Sequence, residues 1–204
     1  MPNGYEEIYQ NLLLRLKACD LEESSARLGL SYISGQKISV NFLNREYIIT
    51  REGAEPADGL PVNINNRNIL LYYVLSKGSE EPKFSFIPMS RLTGMIAGHN
   101  IPTDGIMIAP LLREFGNALE KLKIAASMFS GKYEKISNGS HSWIFTPLPK
   151  IPMKMIFHES DDEFPADIQI MFDEIAHKFM DFECLAFLCG CFVRALIESL
   201  NLCK

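Results

Sequence analysis

SWIFTPLPKIPMKMIFHESDDEFPADIQIMFDEIAHKFMDFECLAFLCGCFVRALIESL (residues 142–200) is the stretch that decides the fold. Trp143 and Phe145 alternate with polar or smaller neighbours, which predicts a strand with one buried face. Pro147 and Pro149 suit an edge or a bend, because proline donates nothing to a ladder. Met153, Met155 and Phe157 alternate again and predict a second strand. The run Glu159–Glu163 (ESDDE) cannot stay buried unpaired and predicts a solvated turn. After Pro165, residues 167–172 read as a third strand, although Ile168, Met171, Phe172 and Ile175 also fit helical spacing. Asp181 is placed to cap a final helix over 182–200, whose sequence from Cys184 is apolar nearly all round. Such a helix belongs inside a core, and its roughly 17 residues reach about 25 Å.

Working outward, 204 residues suffice for one domain with a large core. A net charge of −5 speaks against a general nucleic-acid binder, which needs excess Lys and Arg for phosphates. The charge is unevenly spread: between His158 and Glu183 nine acids face a single base, Lys178. A solvated face is the ordinary account of such a run; a partner or small-molecule surface on this acidic 158–183 side is the sharper one. The first residues carry neither the basic nor the apolar region of a signal peptide. The apolar run Cys184–Val193 is about half a membrane span. Five cysteines, an odd number, suit a reducing compartment. The expectation is a soluble, cytoplasmic protein with no membrane partner.

Upstream, helical spacing predicts two helices over 3–28, with Asn3 and Asp20 as caps and Gly29 ending the second. Ile38, Val40 and Phe42 alternate before Asn44-Arg45, predicting a hairpin over 37–51. Gly53–Pro61 reads as a loop. Helices are expected over 66–77 and 106–130, the latter with Pro110 near the start of its regular part and a fresh cap at Asn117. Residues 94–105 form a glycine-rich loop holding His99. Helices flanking two groups of strands give an α+β fold: a single domain, 1–204, with an antiparallel or mixed sheet (strands across 142–172) and a buried C-terminal helix.

No G-x-G-x-x-G, P-loop or G-x-S-x-G elbow occurs. Cys184, Cys189, Cys191 and Cys203 lie close in sequence, but on one helix Cys189 points about 140° from Cys184. They read as small hydrophobes rather than as metal ligands. Asp173, Glu174 and His177 are the sharpest polar set. On a helix Asp173 and His177, or Glu174 and His177, share a face, and carboxylate plus imidazole can bind metal or move protons. The second copy that a di-iron site requires is missing. The bland account is a turn whose histidine bonds an acid. His158 at a strand end, His141 before its neighbour and His99 in the loop each suit a binding place or a plain surface position.

The segments ISVNFLNREYII (38–49), NILLYYVLSKG (68–78), LREFG (112–116), LPKIPMKMIF (148–157), FPADIQIMFD (164–173) and AHKFMDFECLA (176–186) resemble a prokaryotic domain-of-unknown-function family, number 3786, met largely in anaerobes. The resemblance covers nearly the whole chain. It implies no activity, but it implies a setting near corrinoid one-carbon metabolism, where some members carry an iron–sulfur domain. This chain has no clustered C-x-x-C-x-x-C run to hold such a cluster. Phe172, Asp173 and His177 match the family's F-D…S-H segment, and Gly94, Gly98 and His99 its glycine-rich loop. Three readings follow: a binding or accessory module; an enzyme using His177 oriented by Asp173, metal-assisted or by general acid–base transfer, with His158, Glu174 and His99 as ligand contacts; or a protein-interaction scaffold. The metal and the cofactor are left open. The first is preferred because no nucleophile–base–orienter set is legible.

Overall fold

The computed structural model describes residues 4–92, 103–137 and 139–200, with backbone alone for 103–107. Asn3, His99 and Cys203, with Gly94 and Gly98, lie outside the described residues. Two helices open the chain, α1 (Gly4–Lys17) and α2 (Leu21–Leu28). The Asp20 carboxylate accepts from the Glu22 and Glu23 amides, and Gly29 ends α2 in the left-handed region.

Four short strands follow: β1 (Ser31–Ile33), β2 (Lys37–Phe42), β3 (Arg45–Thr50) and β4 (Gly53–Pro56). They form an antiparallel sheet in chain order. Ile38, Val40, Phe42, Tyr47 and Ile49 face inward, as their alternation requires. The expected loop at 53–61 is thus shorter, since its first residues pair with β3. Gly53 permits this: its φ is +139°, and an added Cβ would sit 2.3 Å from the Tyr9 hydroxyl.

Asn63 caps α3 (Ile64–Leu75), accepting from the Asn65 amide, so this helix begins two residues before its expected start. β5 (Phe86–Pro88), α4 (Met89–Leu92), α5 (Thr103–Phe115) and α6 (Leu119–Met128) come next. Pro110 lies inside α5 rather than in its first turn. α6 starts after Ala118 without a side-chain cap, so Asn117 does not have the expected role.

The second sheet is antiparallel throughout, in the order β5-β9-β8-β7-β6. It joins β6 (Lys132–Ser137), β7 (Ser140–Leu148), β8 (Ile151–His158) and β9 (Asp167–Asp173) to β5. Trp143 stands opposite Met155, and Met155 opposite Ile170, so the sulfur and ring positions share one buried face. The edge strand β6 has no counterpart in the sequence reading. Its six residues are all exposed, so it lacks the apolar alternation that marks a strand.

α7 (Phe182–Ser199) is capped by Asp181, whose carboxylate accepts from the Cys184 amide at 2.9 Å. Leu185, Leu188 and Leu196 are fully buried. Phe192 meets Phe145 of β7 edge to face at 4.7 Å between ring centroids. Tyr73 ties the layers together: its buried hydroxyl donates to the Leu28 carbonyl and accepts from the Lys150 amide. The fold is α+β with the C-terminal helix in the core. Among the described residues no helix is long and apolar enough to cross a membrane.

Candidate functional site

α7 is not buried on every side. Glu183, Ala186, Phe187, Gly190, Arg194 and Glu198 recur at three- and four-residue steps and line one wall of a groove. The volume is about 1260 Å³, above the usual range for small-molecule pockets. From Glu183 to Glu198 this wall runs about 22 Å at 1.5 Å per residue. Gly190 sits in mid-helix, where glycine costs about 1 kcal/mol against alanine. Beyond its chain neighbours and its own helix backbone, no heavy atom lies within 4 Å of where its Cβ would be, so the missing side chain becomes groove space.

The opposite wall is the tip of the β2–β3 hairpin with the segment leading into α3. Leu43 and Asn44 both have positive φ (51° and 60°), as a two-residue type I′ turn demands. The turn puts Arg45 at the start of β3, where its guanidinium bonds both carboxylate oxygens of Asp58 and the carbonyls of Leu60 and Pro61. The Asp58 hydrogen bond raises the Arg45 pKa, and the same bond holds the Asp58 carboxyl below its ordinary range. Arg45 therefore fixes the 58–61 segment as a rigid rim. Asn66 donates to the Tyr47 hydroxyl at 3.2 Å, and Asn44, Asn63 and Asn65 also line this side. Met128 and Phe129 close the end where α6 finishes, and Phe182 and Phe187 add further rings. Burial pushes the Cys191 thiol up to about 11, so it is protonated and inert at neutral pH. The groove thus offers an aromatic, small-residue floor and an amide-rich rim.

The residues picked out in the sequence lie elsewhere. Asp173 is fully buried at the end of β9. Its two oxygens accept from the Phe84 and Ile175 amides. His177 sits in a 3-10 turn (Ala176–Lys178), exposed, with its Nδ1–H donating to the Glu174 carbonyl at 2.8 Å. The helical face expected to join Asp173 to His177 does not form, because the strand runs to Asp173 and the turn after it is too short. Glu174 bonds Lys83 at 2.7 Å and Ser85 at 3.0 Å, and chiefly through Lys83 its carboxyl is held below the ordinary range. His158 Nδ1 lies 2.8 Å from the Ser140 hydroxyl. Glu174 and His177 are brought together, whereas His158, opposite Asp167, lies at the other end of β9 from Asp173; of the acidic 158–183 side only Phe182 and Glu183 line the groove. Among the described residues no group of three or more His, Cys, Asp or Glu side chains is arranged to hold a metal ion.

One signal in the sequence could have exposed the groove. A helix with an apolar face buried on the core has no use for Gly190 flanked at four-residue steps by Ala186 and Arg194, with charges at 183 and 198. The other wall comes from residues more than a hundred positions away, and no spacing within α7 announces it.

Neither a curated protein nor a solved structure matches the chain. The family described as Domain of unknown function (DUF3786) matches residues 20–195, from α2 to near the end of α7, and the chain belongs to that family.

Proposed function

We propose that this protein is a binding module whose site is the groove between α7 and the β2–β3 hairpin. The observation that carries the reading is the open α7 face, where Gly190 leaves space beside a large cavity rimmed by asparagines. Its ligand is a large amphipathic molecule: a broad apolar face lies on Phe182, Phe187 and Phe129, and neutral hydrogen-bonding groups meet Asn44, Asn63 and Asn65. A corrinoid, with its extended ring and amide-bearing periphery, is of that class. It is also the ligand of the setting that the family resemblance implies, an accessory role in anaerobic one-carbon metabolism. A cytoplasmic setting is part of the proposal, supported by the odd number of cysteines, five in all.

The test is a visible-absorbance titration with hydroxocobalamin, using the wild type and Gly190→Leu. One corrinoid per chain, weakened at least about tenfold by a leucine that fills the floor, is expected; that is about 1.4 kcal/mol. His177→Ala should leave the affinity unchanged, because His177 lies outside the groove. Binding that depends on His177 instead would move the site to the acidic side.

A further inference from the structure

A separate cluster lies at the far end of the second sheet. His141 is buried at the start of β7, between two oxygen partners. Its Nε2 is 2.9 Å from Glu159 Oε1, and its Nδ1 is 2.8 Å from the Tyr133 hydroxyl on β6. A carboxylate only accepts, so Nε2 carries the hydrogen. In the neutral imidazole Nδ1 is then the acceptor, and the Tyr133 hydroxyl donates to it. Glu159 is itself fixed by its amide, which donates to the Gly139 carbonyl at 2.8 Å. Acid, base and hydroxyl thus stand in the order in which a carboxylate orients an imidazole against a nucleophile.

Tyr133 differs from the other tyrosines. Burial raises the pKa values of Tyr9, Tyr72 and Tyr73 and keeps them as phenols. Tyr133 is 47% exposed and has a base on its oxygen. The charged groups around it are Lys123 of α6, 5.9 Å from its ring centroid and paired with Glu120, Lys135 opposite His141 on β6, and Glu159. The acidic turn 159–163 starts beside the cluster and disfavours a phosphoryl donor by repulsion.

We propose that Tyr133 is an acyl-acceptor site, activated by His141 and positioned through Glu159, that takes an acyl group from an uncharged ester or thioester. Tyr133 Oη attacks the carbonyl carbon and forms a new C–O bond. The bond to the alkoxide, phenolate or thiolate leaving group breaks with its electron pair. The phenol proton passes to His141 Nδ1, and the Glu159 carboxylate stabilises the imidazolium. That proton then goes to the leaving group or to solvent, which restores the neutral imidazole.

The test uses p-nitrophenyl acetate with the full-length chain, following p-nitrophenolate release and mapping the acetyl group by peptide mass spectrometry. The expected result is one acetyl group on Tyr133, absent in Tyr133→Phe and formed at least about 100-fold more slowly in His141→Asn. Glu159 is half-exposed, so Glu159→Gln keeps the fold and isolates its part. Loss of the carboxylate leaves the imidazolium formed in the step without its partner, so the plateau of the pH–rate profile should fall, while Glu159→Asp keeps part of it. Acetyl groups spread over the exposed Tyr5 and Tyr32, or a rate unchanged in Tyr133→Phe or Glu159→Gln, would overturn the proposal.

Discussion

Asp173, buried at the end of β9, serves the backbone. Its carboxylate satisfies the amides of Phe84 and Ile175 and so pins the start of β5 against β9. Phe84 has φ +55°, a conformation a bulky residue holds only when its surroundings fix it. Asp173→Ala leaves these amides without their partner and is expected to cost about 2 kcal/mol in chemical denaturation. His177→Ala, at an exposed turn, should stay within about 0.5 kcal/mol. The depressed Glu174 carboxyl gives a pH signature: the Lys83–Glu174 contact is complete above the unfolded glutamate pKa of 4.5 and is lost as pH falls through the lower folded value. The Glu174 titration by NMR should therefore fall below the ordinary glutamate range, and Lys83→Met should raise it toward that range, with the Ser85 hydrogen bond still holding it down. None of this was legible locally, since Asp173 and Phe84 lie 89 positions apart and only the β5–β9 pairing joins them.

At the scale of elements, legibility followed the burial pattern. β2 buries alternate residues, β8 does so from Met153 on, and the caps Asp20 and Asp181 bond amides one turn on, so local sequence carried them. β6 escaped because an exposed edge strand has no apolar period to read. β4 escaped because Gly53 reads as a loop residue, whereas here it lets the chain pass beneath the Tyr9 hydroxyl. Gly53→Ala should destabilise by about 2 kcal/mol, since strain at positive φ is joined by a clash with Tyr9. The opposite holds at Gly190, where an added methyl meets nothing. Gly190→Ala should stabilise by about 0.5–1 kcal/mol, read from the denaturation midpoint.

For the molecule as a whole, α7 carries both the packing and the proposed site. One face holds Phe192 against Phe145 and Phe129; the other opens on the hairpin. Phe192→Ala should cost about 3–5 kcal/mol, as large-to-small changes at buried rings do. The α+β class and the central helix were legible because they rest on patterns within each segment, alternation in the strands and a capped apolar run in α7. The groove was not, because it exists only where distant segments meet. The most direct measurement is the hydroxocobalamin titration of the wild type beside Gly190→Leu, each checked for its thermal midpoint. Saturation at one corrinoid per chain, with affinity at least about tenfold weaker in a Gly190→Leu protein as stable as the wild type, is what the groove predicts. Equal affinity in the two proteins, or no binding to the wild type, would contradict it.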